Sequence, residues 1–269
     1  MTMPSTITRE CFPCEAWEAD GGRLMIIAPT WEVSPREDFE KYLPDLKLNW
    51  SKNARTYGCL NEAPADALFR NPEILDSLAS NRPHPIGADG KFLPWFKPGD
   101  HMYFAHFDLS SKKDATGVAV VHLDQIKKKF VLDLALQIPV PPGGELEIMR
   151  SRGYIQELRN RGFYFRMVTF DGWQSLESMQ NLRREGIKAE LLSIDRDCKA
   201  YETLYELTVT SQFDYYPYEV LMAELKGLYK HGHMYDHTEN SSKDVADAVA
   251  GALYSCYLKR PMSINPVMT

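Results

Sequence analysis

Beyond residue 100 the apolar residues fall into an order that few folds accommodate. Segments 101–109, 117–123 and 129–138 each read as a strand, and the connections between them are too short to carry a helix. Three such strands form an antiparallel meander. Residues 139–144 (Pro-Val-Pro-Pro-Gly-Gly) then break the chain, and helices begin to alternate with strands. A helix is predicted over 145–161, with Gly162 in the place of a C-terminal cap, followed by a strand over 164–170. A helix over 175–185 ends at Gly186, and a strand over 187–194 follows. The pattern closes with a helix near 199–211, a short strand at 214–216, a helix over 218–229, an extended piece at 234–237 and a helix over 243–257. The order βββαβαβα, with further short elements, predicts an α/β protein with a mixed sheet. Three antiparallel strands come first, then parallel strands joined through crossover helices that flank the sheet.

Upstream the pattern is weaker. Residues 24–30 read as a buried strand ending at Pro29, the stretch through Trp50 shows no strong period, and helices are expected near 62–70 and 72–80. Four prolines and three glycines crowd residues 81–100, which reads as a linker because each Pro removes a backbone donor and each Gly loosens the chain. The expected organisation is an N-terminal segment (1–80), a linker (81–100), a main domain (101–260) and a short tail (261–269).

The chain has 269 residues, 31 basic against 37 acidic side chains, and 44% hydrophobic residues, the balance of a globular protein. No apolar run approaches the ~20 residues needed to span a bilayer, and the first residues lack a secretory pattern, so no membrane partner is expected. Five scattered cysteines suit a reducing, cytoplasmic setting, and Cys11-Phe-Pro-Cys14 has no second ligand pair nearby to complete a zinc site. Although the net charge is −6, the middle third is basic: Lys127-Lys128-Lys129 and the arginines at 150, 152, 159 and 161 are suited to a polyanion or to a solvated face.

Three acids stand where the pattern makes them conspicuous. Asp108 ends the first strand among apolar neighbours, and Asp171 ends the fourth. If those strands are parallel neighbours, both carboxylates lie at one edge of the sheet. Asp244 opens the last helix, whose Ala246, Ala248, Ala250, Gly251 and Ala252 allow close packing on a sheet. Carboxylates meeting there repel one another unless a divalent cation lies between them. Hard oxygen donors favour Mg²⁺ or Mn²⁺. Taken singly, an Asp at a helix start is a dipole partner and Asp171-Gly172 a turn pair. Together they suit a pair of ions ~3.5–4 Å apart, the arrangement used for in-line displacement at phosphorus.

Three motifs carry a resemblance. Asp108-Leu-Ser-Ser-Lys-Lys-Asp114-Ala-Thr-Gly117, Val168-Thr-Phe-Asp171-Gly-Trp-Gln-Ser175 and Asp236-His-Thr-Glu-Asn-Ser-Ser-Lys-Asp244-Val-Ala-Asp247-Ala resemble, in this order, the nuclease half of the large terminase subunit of tailed bacteriophages. The likeness spans about residues 100–258. It implies an RNase H-like fold, an endonuclease that cuts concatemeric double-stranded viral DNA during packaging, and two bound Mg²⁺ or Mn²⁺ ions. It also implies a setting in the host cytoplasm with portal protein, small terminase subunit and an ATPase domain or chain as partners. By position, Asp108, Asp171 and Asp244 are the implied catalytic and metal-binding acids, with Asp247 a further metal ligand. Lys112, Lys113, Lys127, Lys128 and Lys129 are candidate DNA contacts. Asp114 and Asp236 are expected to stand behind the ligands at most, and His237 to cap a strand. Other RNase H-like nucleases, such as a junction resolvase or an RNA-strand nuclease, share the three acids, and a docking module of a packaging motor is the non-enzymatic alternative. No phosphate-binding loop of the form G-x-x-x-x-G-K-[ST] occurs in the chain, whereas Ile26-Ile-Ala-Pro-Thr30-Trp-Glu-Val-Ser-Pro35 resembles the end of the family's ATPase portion. The chain is therefore expected to be a C-terminal piece, or one product of a gene split in two, with no ATPase site of its own.

Overall fold

The structure is a computed structural model that describes residues 6, 8–9, 12, 14–19, 23–34, 36–48, 53, 56–59, 66–109, 115–139, 148–172, 176–237 and 241–260. The chain divides at Asn71/Pro72 into two compact units. In the first, β1 (Glu15–Ala19) and β2 (Arg23–Ile27) pair as an antiparallel hairpin, followed by α1 (Thr30–Val33) and α2 (Phe39–Leu48). Phe12, Trp31, Phe39 and Leu46 form a small core, with Trp31 edge-on to Phe12 at 4.9 Å and to Phe39 at 5.1 Å between ring centroids. The strand expected at 24–30 ends before Pro29. Of the helix expected at 62–70, residues 66–70 are not helical and residues 62–65 lie outside the described residues.

The second unit comprises α3 (Glu73–Leu78), β3 (Tyr103–Asp108), β4 (Thr116–Asp124), β5 (Lys129–Ile138), α4 (Ile148–Asn160), β6 (Phe165–Asp171), α5 (Leu176–Arg184) and β7 (Ala189–Leu191). It continues with α6 (Lys199–Val209), β8 (Phe213–Asp214), α7 (Glu219–Gly227), β9 (Tyr229–His231), β10 (Met234–Asp236) and α8 (Asp244–Leu258). Six strands form one mixed sheet in the order β7-β6-β3-β4-β5-β8. The meander β3-β4-β5 is antiparallel, β6 is parallel to β3 and β7 to β6, and β8 is parallel to β5. The expected α/β architecture, antiparallel strands first and parallel strands after, is the observed one.

Alternation along the strands sorts the two faces. On one face Tyr103, Ala105 and Phe107 join Val168, Phe170, Ile155 and Leu158 of α4, and Met179 and Leu182 of α5 in a single buried core. On the other face Phe104, His106 and Asp108 meet α8, which is buried along Val245–Leu253. The small residues of α8 allow this approach. A Cβ added to Gly251 would lie 2.7 Å from His106 Nδ1.

Residues 81–100 are not a linker. Phe92 and Phe96 are buried in the main core, and Ile86 bridges Phe92. Arg82 donates to Asp214 Oδ1 at 2.9 Å and to the Leu132 carbonyl at 3.1 Å, while His84 Nε2 lies 3.0 Å from the Ala135 carbonyl. Proline and glycine suppress regular hydrogen bonding here, but aromatic anchors and charged side chains still fasten the segment to the sheet. The boundary consequently falls before α3, to which Tyr215 is tied by a 2.7 Å hydrogen bond to the Leu75 carbonyl. Among the described residues no helix is long and apolar enough to cross a membrane.

Candidate functional site

Asp108 and Asp171 are register partners at the carboxyl ends of the parallel pair β3 and β6, and both side chains project to the face that carries α8. On the other side of β3, Asp108 pairs with Gly117 of β4. Gly117 has no side chain, and the Asp244 carbonyl occupies the space a Cβ would need. The first turn of α8 is thereby pressed onto the strand that carries Asp108. Glu224 of α7 holds it there, accepting hydrogen bonds from the Ala246 backbone N–H at 2.7 Å and from the Ser242 hydroxyl at 2.6 Å. A carboxylate at a helix N-terminus satisfies an otherwise orphaned donor and complements the helix dipole.

The charges at this edge disturb one another. Burial, then Asp247, Asp244 and Asp171, push the Asp108 carboxyl up to about 8, against the opposing pull of Lys243. Asp247 is 4% exposed, and burial raises it to about 7 although Lys243 and Tyr201 both favour its charged form. Its two oxygens are engaged: Tyr201 Oη donates to Oδ1 at 2.6 Å, and Lys243 Nζ lies 3.4 Å from Oδ2. Lys243 also forms an ion pair with Asp195 and donates to the Tyr235 carbonyl at 3.3 Å. Asp171 Oδ2 accepts from the Ile194 N–H at 3.2 Å, which fixes its carboxylate against the loop after β7.

The structure thus brings Asp108, Asp171, Asp244 and Asp247 to one edge. Among the described residues, no three Asp, Glu, His or Cys side chains stand close enough together to enclose an ion in this arrangement. The donors are nonetheless of the right kind for Mg²⁺ or Mn²⁺, all carboxylate oxygens with no sulfur or imidazole between them. Burial first, and then three neighbouring acids against Lys243, hold the Asp108 carboxyl above the usual carboxylate range.

Other residues singled out by sequence fall elsewhere. Lys127, Lys128 and Lys129 are exposed around the β4–β5 turn, at the end of β3 opposite Asp108 and about 20 Å along the strand. Lys127 pairs there with Asp124 at 3.8 Å. Lys112, Lys113 and Asp114 lie outside the described residues. Asp236 ends β10 and accepts from the His237 backbone N–H at 2.8 Å. Sequence reasoning overlooked Asp195, Lys243, Tyr201 and Glu224. Lys243 was accessible, since it precedes Asp244 and stands four residues before Asp247 on the same helix. The other three come from separate elements, and no local spacing marks them.

No protein-family model matches the chain, and no curated protein sequence matches it. Solved structures do. The large terminase nuclease of thermophilic phage G20c is 17% identical, with a TM-score of 0.54 over 71% of this chain and 98% of that one. The same nuclease with bound magnesium gives a TM-score of 0.53 at 15% identity, with the same shares of each chain covered. The nuclease domain of the Thermus phage P74-26 large terminase gives 0.51 at 16% identity, over 69% of this chain and 93% of that one. The HK97 bacteriophage large terminase gives 0.54 at 11% identity, with 81% of this chain covering 51% of that subunit. This chain therefore has the RNase H-like fold of the large terminase nuclease domains of tailed phages.

Proposed function

We propose that the chain is a metal-dependent endonuclease that hydrolyses phosphodiester bonds of double-stranded viral DNA, cutting concatemers as packaging starts and ends. The observation that carries this reading is the meeting of Asp108, Asp171 and Asp244, which are distant in sequence, at one edge of a sheet of the terminase nuclease fold. Asp108 and Asp171 project side by side from parallel strands and Asp244 opens the helix pressed onto the strand next to Asp108, so these three are the carboxylates that would hold two Mg²⁺ or Mn²⁺ ions, closing in from their metal-free spacing. When bound, such ions ready a water for attack and steady the leaving oxygen. Asp247, with both oxygens engaged, holds Lys243 and orients the helix start, leaving Asp244 as the principal third ligand. Lys112 and Lys113, four and five residues beyond Asp108, are the nearest candidates in sequence for phosphate contacts. Lys127–Lys129 are too remote to act on the same phosphate.

The expected setting is the packaging motor in the host cytoplasm, with double-stranded DNA, portal protein, small terminase subunit and an ATPase domain or chain as partners. The test combines calorimetric titration with Mn²⁺ and cleavage of duplex DNA, branched DNA and RNA–DNA hybrid. Micromolar to millimolar Mn²⁺ binding that Asp108→Asn abolishes, with cleavage strongest on duplex DNA, is the expected result. Preference for branched or hybrid substrates identifies another RNase H-like nuclease. Absence of Mn²⁺ binding identifies a docking module.

A further inference from the structure

The far end of α8, about 20 Å from Asp244 along the helix axis, borders a second feature of the same sheet face. Here the N-terminal end of β3, the β4–β5 turn, the start of β6 and the last residues of α8 surround a cavity of about 920 Å³. That volume is in the range of ligand-binding clefts. Phe104, Leu123 and Cys256 give it apolar walls, with Met102 and Tyr164 at its mouth. Ile126, 93% exposed, adds an apolar side chain to its rim next to Met102 and Tyr164.

The polar lining is strongly one-sided. Arg166, Lys259 and Arg260 line the cavity, against Asp100 as the sole carboxylate among its lining residues. Among the described residues neither Arg166 nor Lys259 forms an ion pair, whereas Arg260 is stacked over the Tyr257 ring at 3.5 Å from guanidinium to centroid. In a chain of net charge −6, a cationic rim around an apolar hollow is complementary to one kind of ligand.

We propose that this cavity is a docking site for an acidic peptide segment of a partner protein, which inserts a large apolar or aromatic side chain and sets its carboxylates against Arg166, Lys259 and Arg260. The peptide is favoured over nucleic acid by the apolar walls and by the concavity. A phosphate backbone is held by cations on an accessible surface and gains nothing from Met102, Phe104 or Ile126. A large side chain buried in a pocket carries most of the affinity at many protein interfaces, and the polar rim around it adds selectivity.

The test is selection of a random twelve-residue peptide library on the whole protein, with counter-selection on a double variant, Ile126→Asp with Lys259→Glu. Both substituted residues are exposed, so the variant is expected to keep the wild-type melting temperature. The expected result is enrichment of sequences that combine a large aromatic or aliphatic residue with at least two Asp or Glu. Such peptides should bind wild type at least tenfold more tightly than the variant, and hydrogen exchange should slow over residues 99–104 and 123–130. Three results overturn the proposal: no enrichment, enrichment without acidic bias, or affinity indifferent to the double variant. Displacement of the peptide by an equimolar 20-base-pair duplex shows instead that this end of the sheet reads nucleic acid. Weaker peptide binding to the intact chain than to one lacking 261–269 assigns the cavity to that tail. Metal-dependent cleavage by the variant should equal that of wild type, so the outcome is independent of the nuclease reading.

Discussion

Gly117 and Asp244 are in backbone contact: the carbonyl of the first residue of α8 fills the position a side chain on Gly117 would take, directly beside Asp108 on the neighbouring strand. The absence of one methyl group therefore sets how far the third carboxylate stands from the first two. Because the obstructing atom belongs to the backbone, no rotamer change relieves it. Gly117→Ala is expected to lower stability by about 1–3 kcal/mol, the usual cost of overpacking, and to reduce cleavage at least a hundredfold through displacement of Asp244. Thermal melting and a plasmid-nicking assay check the two effects separately.

With its carboxyl pushed up to about 8 by burial and neighbouring acids, Asp108 is largely uncharged near pH 7 in the metal-free protein, so a neutral amide of the same shape changes little there. Asp108→Asn is expected to leave melting in EDTA unchanged or slightly raised, while abolishing cleavage and the stabilisation that Mn²⁺ confers on wild type. A large loss of stability in EDTA would mean that Asp108 is a structural residue.

Lys243 is the positive charge that the acid cluster contains, and its side chain is 11% exposed. Lys243→Ala leaves Asp247 and Asp195 without their ammonium. Removing one member of a buried pair typically costs about 3–5 kcal/mol, and a loss toward the lower end is expected because Asp247 retains Tyr201. Millimolar Mn²⁺ should restore more of the lost stability in this variant than it adds to wild type, as differential scanning calorimetry would show. Equal stabilisation of both proteins would separate Lys243 from the metal-binding edge.

His106 lies fully buried between β3 and α8, with Nδ1 2.8 Å from the Thr169 hydroxyl, which in turn meets Ser255 of α8 at 3.3 Å. Burial depresses its imidazole from about 6.5 to about 3. The unfolded chain therefore takes up a proton first as pH falls, and stability is lost progressively from about pH 6.5 down towards pH 3. Once below pH 6.5 the slope from this group is about 1.4 kcal/mol per pH unit. His106→Asn removes that term. Its destabilisation relative to wild type is expected to be largest at pH 7–8 and to shrink on acidification, and urea denaturation at pH 7.5, 6 and 5 in EDTA measures it.

Much of this organisation was legible in the residues themselves. The meander 101–138, the crossover helices and the three acids at element ends follow from hydrophobic period and from the turn chemistry of Gly162 and Gly186, both of which have positive φ. The segment 81–100 misled because prolines and glycines report the loss of regular structure, whereas burial of Phe92 and Phe96 depends on what lies across the sheet.

What the sequence by itself determined is which segments beyond residue 100 become strands and helices, and that Asp108, Asp171 and Asp244 stand at their ends, because local hydrophobic spacing and backbone preference are written into neighbouring residues. Tertiary structure alone decided that β6 lies beside β3, that Tyr201 and Lys243 occupy Asp247, that Glu224 pins the first turn of α8, and that Lys127–Lys129 are far from the acids. These relations join residues tens of positions apart, and their geometry follows from the packing of α8 on the sheet, which no local pattern encodes.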